Sequence, residues 1–229
     1  MTFPTEFMIL AAHTSIPRML EQMSDGMLAT VQIFALTLLF SLPLGLIVAF
    51  GRMSKFTPLR WIVTVYISIM RGTPLMLQTI AIYFGPYFLA GVSLSREYKF
   101  IAIIVAFSLN YAAYFAEIYR SGIQSMPVGQ YEAADLLGYN KFQRFMKIIL
   151  PQVFKRILPA MTNEVICLVK DTSLAYSVSF IEMFAITKQI ASRDADFTPF
   201  IIAGVFYFVF NSIVAWVMDL IEKKFSYYQ

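Results

Sequence analysis

Long apolar blocks constrain this chain more than any other feature of its sequence. A hydrocarbon core about 30 Å thick is crossed by roughly 20 helical residues, and several blocks reach that length. Because lipid offers no partner for backbone N–H and C=O groups, such blocks are almost always helices. Of 229 residues, 59% are hydrophobic and 14% charged, unlike a soluble domain. The chain is therefore predicted to be an all-α integral membrane protein.

Five transmembrane segments are predicted from these blocks. They cover about residues 27–50, 61–89, 100–119, 157–181 and 199–221, with a polar interruption in the fourth. We expect no removed signal peptide, because no positive cluster precedes an apolar stretch near the N-terminus.

The ends of the chain are predicted to lie outside this bundle. We expect residues 1–26 to form an extracytoplasmic or interfacial segment, in which FMILAAH and IPRMLEQM make a short interfacial helix before the first span. Residues 27–224 form the predicted transmembrane domain, and residues 225–229 a cytoplasmic tail.

The distribution of Lys and Arg predicts the orientation. With the N-terminus outside, eleven of the 18 basic residues fall in inner segments and five in outer ones, while Arg71 and Lys170 lie within spans. Cytoplasmic loops carry the excess of positive charge, which favours an N-out, C-in arrangement. The net charge of +4 then indicates proximity to anionic lipid and calls for no nucleic acid.

A polar stretch, YEAADLLGYNKFQRFMKIILPQ at 131–152, falls in the longest predicted inner loop, about residues 122–150. Gly129 is expected to break the preceding segment, after which Glu132 and Asp135 would lie in the early turns of a helix, where the macrodipole favours negative charge. Gly138 suits a left-handed C-cap, and Asn140 can cap a second helix with Gln143 in capping-box register.

The adjacent Ala133 and Ala134 would let another protein approach this first helix closely. The loop is thus a candidate docking surface. An ordinary amphipathic connector lying on the inner leaflet would use the same caps and glycines, so the residues alone leave both interpretations open.

Four charged residues stand out inside predicted spans, where each costs about 2.5–3.5 kcal/mol on insertion scales and therefore usually faces a cavity or a partner. They are Arg71, Glu164, Lys170 and Asp171. Glu164 and Asp171 are two helical turns apart and share nearly one face, whereas Lys170 points about 100° away. An ion-pair network that fastens the spans is the alternative to a solute site.

The segment after Arg71 favours a local distortion of the second span. Gly72 and Thr73 precede Pro74, which removes a backbone donor, so carbonyls and hydroxyls would be exposed to a solute. Arg71 offers a planar fork for an α-carboxylate, and the carboxylates Glu164 and Asp171 suit an ammonium group. Together these groups match a zwitterionic amino acid.

Three motifs resemble those of a known family. Glu132, Ala133 and Ala134, followed by Gly138 and an Ile-Leu-Pro run at 149–151, resemble the "EAA" loop in transmembrane subunits of ATP-binding-cassette (ABC) importers. The stretches RGTPLMLQ (71–78), AAYFAEIYRSGIQSMPVGQYEAA (112–134) and LPAMTNEVICLVKDTSL (158–174) resemble the histidine, glutamine and arginine permeases. This similarity runs from about Gly26 to Lys224.

The resemblance implies a type I importer (MetI-like) transmembrane domain with five spans and an N-out topology in a prokaryotic inner membrane. It also implies partners: two ABC ATPase subunits that carry ATP and Mg²⁺, a second permease subunit, identical or related, and an extracytoplasmic amino acid binding protein. In the family the EAA helix fits a groove on the ATPase. No GxxxxGK[ST] phosphate loop is present in this sequence, so no nucleotide, metal or other cofactor is assigned to the chain itself.

By the same resemblance, the substrate-binding positions are Arg71, Gly72, Thr73, Glu164, Asp171 and Ser173, and the ATPase-coupling positions are Glu132, Ala133, Ala134 and Gly138. On an unbroken helix Ser173 would lie about 180° from Glu164, so both can reach one solute if the helix is interrupted near KDTS. Two carboxylates slightly favour cationic or neutral polar amino acids.

The sequence disfavours two other classes of function. An ion-gradient-driven secondary transporter is disfavoured because no internal repeat is visible. An intramembrane enzyme is disfavoured because one His and one Cys make neither a metal site nor a nucleophile elbow.

Several further polar residues have structural interpretations. Cys167 is expected to be a small buried hydrophobe, and Glu117 with Arg120 an i,i+3 pair. Asn110, Tyr111 and Tyr114 either line the pathway or pack between spans.

Overall fold

A computed structural model describes residues 14–93 and 95–225. Its regular structure over these ranges is helical throughout. The helices are α1 (Ile16–Arg52), α2 (Thr57–Gly72), α3 (Leu75–Ala90), α4 (Arg96–Gln124), α5 (Val128–Leu136), α6 (Lys141–Arg144), α7 (Leu150–Asp171), α8 (Met183–Asp194) and α9 (Thr198–Phe225). A π-helical segment, Phe145–Ile149, joins α6 to α7, and a 3₁₀ segment, Thr172–Val178, follows α7.

Helix α1 begins before the first predicted span. It starts at Ile16, next to Pro17, and runs unbroken to Arg52, so the IPRMLEQM stretch is continuous with the span and the prediction of a separate helix there was wrong. The good helix formers at 19–23 are followed by the weak formers Ser24, Asp25 and Gly26, and the helix continues through them. The FMILAAH stretch lies outside the described residues.

Three single helices, α1, α4 and α9, are long and apolar enough to cross a membrane. The bent pair α2 and α3 would add a fourth span. Helix α7 carries the charges that sequence analysis placed in the fourth predicted span, and it is not among these apolar helices. The five-span count and the N-out orientation stay predictions.

Helix α4 lies at the centre of the bundle. In its most apolar stretch 61% of the residues are buried, against 28% in α1 and 11% in α9, so α9 presents most of its surface outward. At the contact between α1 and α4, a Cβ on Gly45 would lie 2.9 Å from the Phe115 Cβ, closer than real contacts permit. This close approach requires glycine at position 45. Large apolar side chains complete the core, among them Ile33, Phe107, Phe115 and Leu168.

Two acidic residues fix α8 at its ends. Glu182 is fully buried at the N-cap, where its carboxylate accepts hydrogen bonds from the backbone N–H groups of Phe184 and Ala185, both at 2.8 Å. The Tyr207 hydroxyl of α9 donates to it at 3.3 Å and the Thr30 hydroxyl of α1 at 3.5 Å. This carboxylate therefore joins three helices.

At the other end of α8, Asp194 accepts from the Arg193 Nε at 2.8 Å and from the Thr14 backbone N–H at 2.9 Å. The Arg193 hydrogen bond and the two from Thr14 hold the pKa of Asp194 well below its usual range. The contact ties the first described residue of the chain to the end of α8.

Candidate functional site

The second predicted span is broken at the place that sequence analysis indicated. Helices α2 and α3 meet at 110°, with Thr73 and Pro74 in extended conformations between them. In a continuous helix the Met70 carbonyl would accept from residue 74, which is a proline and has no N–H. Arg71–Pro74, which we call the bend, is exposed throughout. The distortion predicted from Gly72 and Pro74 is confirmed.

Side-chain amides hydrogen-bond the carbonyls freed at the bend. The Gln78 Nε2 lies 2.9 Å from the Met70 carbonyl oxygen, 3.1 Å from that of Thr73 and 2.8 Å from the Thr73 Oγ1. The Thr73 hydroxyl in turn donates to the Ile69 carbonyl at 2.8 Å. Asn110 of α4 donates to Met70 at 2.9 Å and to the Gln78 Oε1 at 3.0 Å.

The interruption near KDTS is also confirmed. Helix α7 ends at Asp171 and the backbone tightens into the 3₁₀ segment, which contains Ser173. Glu164, Asp171 and Ser173 are all partly exposed, and the Ser173 hydroxyl donates to the Lys170 carbonyl at 2.8 Å. A 3₁₀ segment turns by about 120° per residue, so Ser173 is shifted by about 40° from its place on an unbroken helix and still lies well around the axis from Glu164.

Two tyrosines of α4 connect the bend with the end of α7. The Tyr111 hydroxyl donates to the Asp171 carboxylate at 2.7 Å, and the Arg71 guanidinium carbon lies 5.2 Å from the centre of the Tyr114 ring. The two tyrosine rings are 6.2 Å apart. Arg71 and Asp171 both lie close enough to Glu164 to interact with it electrostatically. One positive and two negative groups therefore converge beside α4.

The remaining predicted positions are less directly connected. Gly72 is exposed, and a Cβ built there would meet no atom within 4 Å, which leaves room beside the bend. Thr73 is tied to α3 through Gln78, a residue that the sequence analysis did not single out. A glutamine four residues after Pro74 in an otherwise apolar helix was the available signal.

The structure also decides several structural expectations. Glu117 pairs with Arg120 as predicted, at 2.6 Å, and additionally with Arg52 of α1 at 3.7 Å. Asn110 and Tyr111 are 4% and 2% exposed, so they pack between helices, and they also connect with the bend and Asp171. Cys167 is exposed, and the expectation of a buried thiol was wrong because it lies on the outward face of α7.

The coupling loop, residues 122–150, contains a short exposed helix. Pro127 caps α5, so Gly129 lies inside the helix rather than breaking the segment before it, and Glu132 and Asp135 fall after its first turn. Those two expectations were wrong because a proline N-cap starts the helix earlier than glycine indicated. Gly138 adopts a left-handed φ of 79°, and Asn140 forms the capping box with Gln143, both as predicted.

The exposed surface of α5 differs from the expectation for the alanine pair. Ala134 is 1% exposed and packs inside the chain, whereas Glu132 and Ala133 face outward. A partner could thus approach through Ala133 but not Ala134. At the end of α5, Leu136 is 90% exposed and the following Leu137 74% exposed, which leaves an apolar surface at the tip of the loop.

A cation holds α5 against the helix that follows it. Arg144 forms an ion pair with Asp135, and its guanidinium carbon lies 5.2 Å from the Tyr131 ring centre. Lys147 lies 6.0 Å from the Tyr139 ring. Backbone helix then continues from Lys141 through the π segment to Asp171, so the last ten residues of the coupling loop and Asp171 belong to one continuous element.

The chain thus combines an all-helical bundle, a broken span and a short exposed helix, which are features expected of a transporter's membrane subunit. The family model described as "Binding-protein-dependent transport system inner membrane component" matches residues 41–227. The chain belongs to that family, which confirms the family resemblance seen in the sequence.

Two bacterial transport permeases are similar to this chain over most of its length. It is 35% identical over 227 residues to the L-cystine transport system permease protein TcyB of Bacillus subtilis, covering 96% of this chain and 95% of the relative. It is 36% identical over 201 residues to the arginine transport system permease protein ArtQ of the same organism, covering 87% and 90%.

Solved structures confirm the fold. A crystal structure of an amino acid ABC transporter with histidines superposes with a TM-score of 0.82 at 30% identity, covering 98% of this chain and all of the other. The MetNI methionine ABC transporter superposes with a TM-score of 0.70 at 19% identity, which bears on the fold alone. The all-helical fold of type I importers, predicted from the sequence, is confirmed.

Proposed function

We propose that this chain is the permease subunit of an ATP-driven importer and forms the membrane pathway for a polar amino acid. The observation that carries the proposal is the convergence of Arg71, Glu164 and Asp171 beside an exposed helix break. The similarity to permeases for cystine and arginine supports an amino acid as cargo.

Each charged end of a zwitterionic amino acid has side chains of opposite charge in this site. The Arg71 guanidinium binds the α-carboxylate through paired N–H donors. Glu164 and Asp171 attract the α-ammonium group or a cationic side chain. Thr73 and Ser173 supply hydroxyls, and the open space beside Gly72 admits the solute next to the backbone. Tyr111, by donating to Asp171, keeps one carboxylate oriented before cargo arrives.

The energy for transport comes from partner subunits. Helix α5 and the apolar tip at Leu136 and Leu137 dock on a cytoplasmic ABC ATPase, which binds ATP and Mg²⁺. Glu132, Ala133 and Gly138 shape this docking surface. Two ATPases, a second permease subunit and an extracytoplasmic binding protein complete the importer in a prokaryotic inner membrane. Docking through an exposed helix also agrees with the way Arg144 fixes α5 on the helix leading to Asp171.

The proposal is tested with the complex purified from native membranes and reconstituted in vesicles with its ATPase and binding protein. Radiolabelled L-cystine, L-arginine, L-glutamine and L-glutamate serve as probes. We expect uptake of at least one to require ATP and to survive collapse of proton and sodium gradients. Uptake that follows an ion gradient without ATP would establish the secondary-transporter alternative instead.

The site assignment is tested by Glu164→Gln, with Glu21→Gln at an exposed position of α1 as the matched control. We expect the first variant to assemble normally and to lose most uptake, and the control to transport normally. Normal uptake by Glu164→Gln would remove this residue from the site and favour a role in an ion-pair network that fastens the helices.

A further inference from the structure

Two buried amides, Gln78 and Asn110, lie immediately behind the bend and are not used by the proposed binding chemistry. Gln78 is 9% exposed and Asn110 4% exposed. The amides come from different helices, α3 and α4, yet both donate to one carbonyl, that of Met70. Such convergence indicates that the Met70 carbonyl needs partners that the helix does not provide.

Pro74 explains that need. In a helix the Met70 carbonyl would accept from position 74, and proline has no N–H to give. A backbone acceptor left without a partner is costly, and straightening the helix would not supply one, so an unsupported bend would have to shift until water reached this oxygen. Gln78 and Asn110 satisfy this carbonyl at 2.9 Å each, and the Thr73 carbonyl receives a further bond from Gln78 at 3.1 Å.

The arrangement is consistent in its donors and acceptors. The Asn110 amide uses its two N–H groups on the Met70 carbonyl and on the Gln78 Oε1. The Gln78 oxygen is thereby an acceptor, which orients its Nε2 towards Met70 and Thr73. The Thr73 hydroxyl donates to Ile69 and so accepts from Gln78. The donor or acceptor role of each group in this set is therefore determined by the group to which it is bonded.

The same amides connect the bend with the opposite wall of the site. Asn110 immediately precedes Tyr111, which holds Asp171, and lies one helical turn before Tyr114, which lies beneath Arg71. A single stretch of α4 therefore sets the position of the bend and of both charged groups around it.

We propose that Gln78 and Asn110 are positioning residues that hold the bend in its broken form and thereby place Arg71 and Thr73 for cargo. Neither amide touches the solute; both act through the backbone between Ile69 and Pro74. This inference rests on the proposed function, since it assigns a role to the amides in the same binding site.

The test uses the purified permease–ATPase complex in lipid nanodiscs. Equilibrium binding of radiolabelled L-arginine, L-cystine, L-glutamine and L-glutamate gives a Kd for each amino acid that the complex binds. Gln78→Met keeps the length and volume of the side chain and removes its donors. Gln32→Met, at an exposed glutamine of α1, is the matched control.

We expect Gln78→Met to raise the Kd about tenfold while ATP hydrolysis without cargo stays within twofold of the parent. Asn110→Leu, which leaves Gln78 on the Met70 carbonyl, should raise it about threefold, and it serves as the second variant if Gln78→Met does not assemble. Gln32→Met should leave the Kd unchanged. A Kd within twofold of the parent in an assembled Gln78→Met or Asn110→Leu complex overturns the inference.

A double-mutant cycle separates positioning from a general loss of stability. Thr73→Val removes the hydroxyl that Gln78 orients, so the combination with Gln78→Met should weaken binding by less than the product of the single effects. Fully multiplicative effects would show that Gln78 does not act through Thr73 and would overturn the inference. Failure of the proposed function has a different signature, in which an Arg71 variant binds every amino acid as tightly as the parent.

Discussion

Two of the breaks between helices, the bend between α2 and α3 and the break before α8, are stabilised in opposite ways. At the bend between α2 and α3, neutral amides from Gln78 and Asn110 satisfy the backbone from behind and leave Arg71–Pro74 exposed. Before α8, the carboxylate of Glu182 satisfies the backbone from inside and is itself fully buried. The exposed side of the bend can contact a solute. The side chain of Glu182 is fully buried and stabilises the fold.

This difference makes the consequences of substitution separable. Changes at the bend should impair cargo handling in complexes that still assemble. Changes at Glu182 should impair assembly itself. The four predictions that follow begin with the largest effect.

Arg71→Gln should give the largest functional loss. Hydrogen bonds to charged groups contribute about 1.5–3 kcal/mol, so removing the guanidinium should lower amino acid uptake about 10- to 100-fold. Assembly with the ATPase should be unchanged, because Arg71 is exposed at the bend. The measurement is ATP-dependent uptake of the radiolabelled amino acids beside size-exclusion chromatography of the complex. Normal uptake by Arg71→Gln would contradict the assignment of cargo binding to the bend.

Glu182→Gln should instead reduce stability. An amide replaces one accepting oxygen with a donor, which then faces the donors of Phe184, Tyr207 and Thr30. Leaving buried donors unsatisfied costs about 1–3 kcal/mol, enough to lower the midpoint of thermal unfolding by about 5 °C. The midpoint is measured by tryptophan fluorescence in detergent, with Glu21→Gln as control. Loss of uptake in a complex of unchanged stability would contradict this assignment.

Asp135→Asn should have a smaller effect on coupling. Its ion pair with Arg144 is partly exposed, and such pairs contribute about 0.2–1 kcal/mol. We expect ATP hydrolysis stimulated by cargo to fall about twofold while cargo binding is unchanged. Asp219→Asn, at an exposed ion pair with Lys223 in α9, is the matched control. A change in cargo affinity in Asp135→Asn would contradict this expectation and show that the coupling loop affects the bend.

Asp194→Asn should produce the smallest shift, and one that depends on pH. The Arg193 hydrogen bond lowers the pKa of Asp194, so its stabilisation is present above the ordinary carboxyl pKa and is lost as pH falls through the lowered value. At pH 7 the variant should unfold within about 2 °C below the parent. This gap should close as the medium becomes strongly acidic. A gap independent of pH would show that the carboxylate charge contributes nothing.

Residue pattern alone predicted much of the fold. Apolar block length predicted the helices corresponding to α1, α4 and α9, and the Gly72–Pro74 segment predicted the bend, because both depend on local chemistry. The start of α5 at Val128 and the continuity of α1 from Ile16 were missed. Glycine tolerates helical as well as turn conformations, so Gly129 did not mark the break that it indicated.

The candidate site was predicted less completely than the fold. Charges within apolar segments identified Arg71, Glu164 and Asp171, since a charge in lipid is costly wherever the chain goes. Gln78 and the buried state of Ala134 depend on which helix faces which, and that is decided by packing between segments distant in sequence. Neither could be derived from local pattern.

The helical backbone is continuous from Lys141 to Asp171, so this part of the chain can move as one element. Thirty-one residues at 1.5 Å each span about 45 Å, so a tilt of about 10° about the Lys141 end would carry the other end roughly 8 Å. The π-helical segment Phe145–Ile149 is the site where this helix can bend, because helix kinks commonly occur at π-bulges. A small rotation at the Lys141 end would therefore produce a larger displacement at the carboxylate of Asp171.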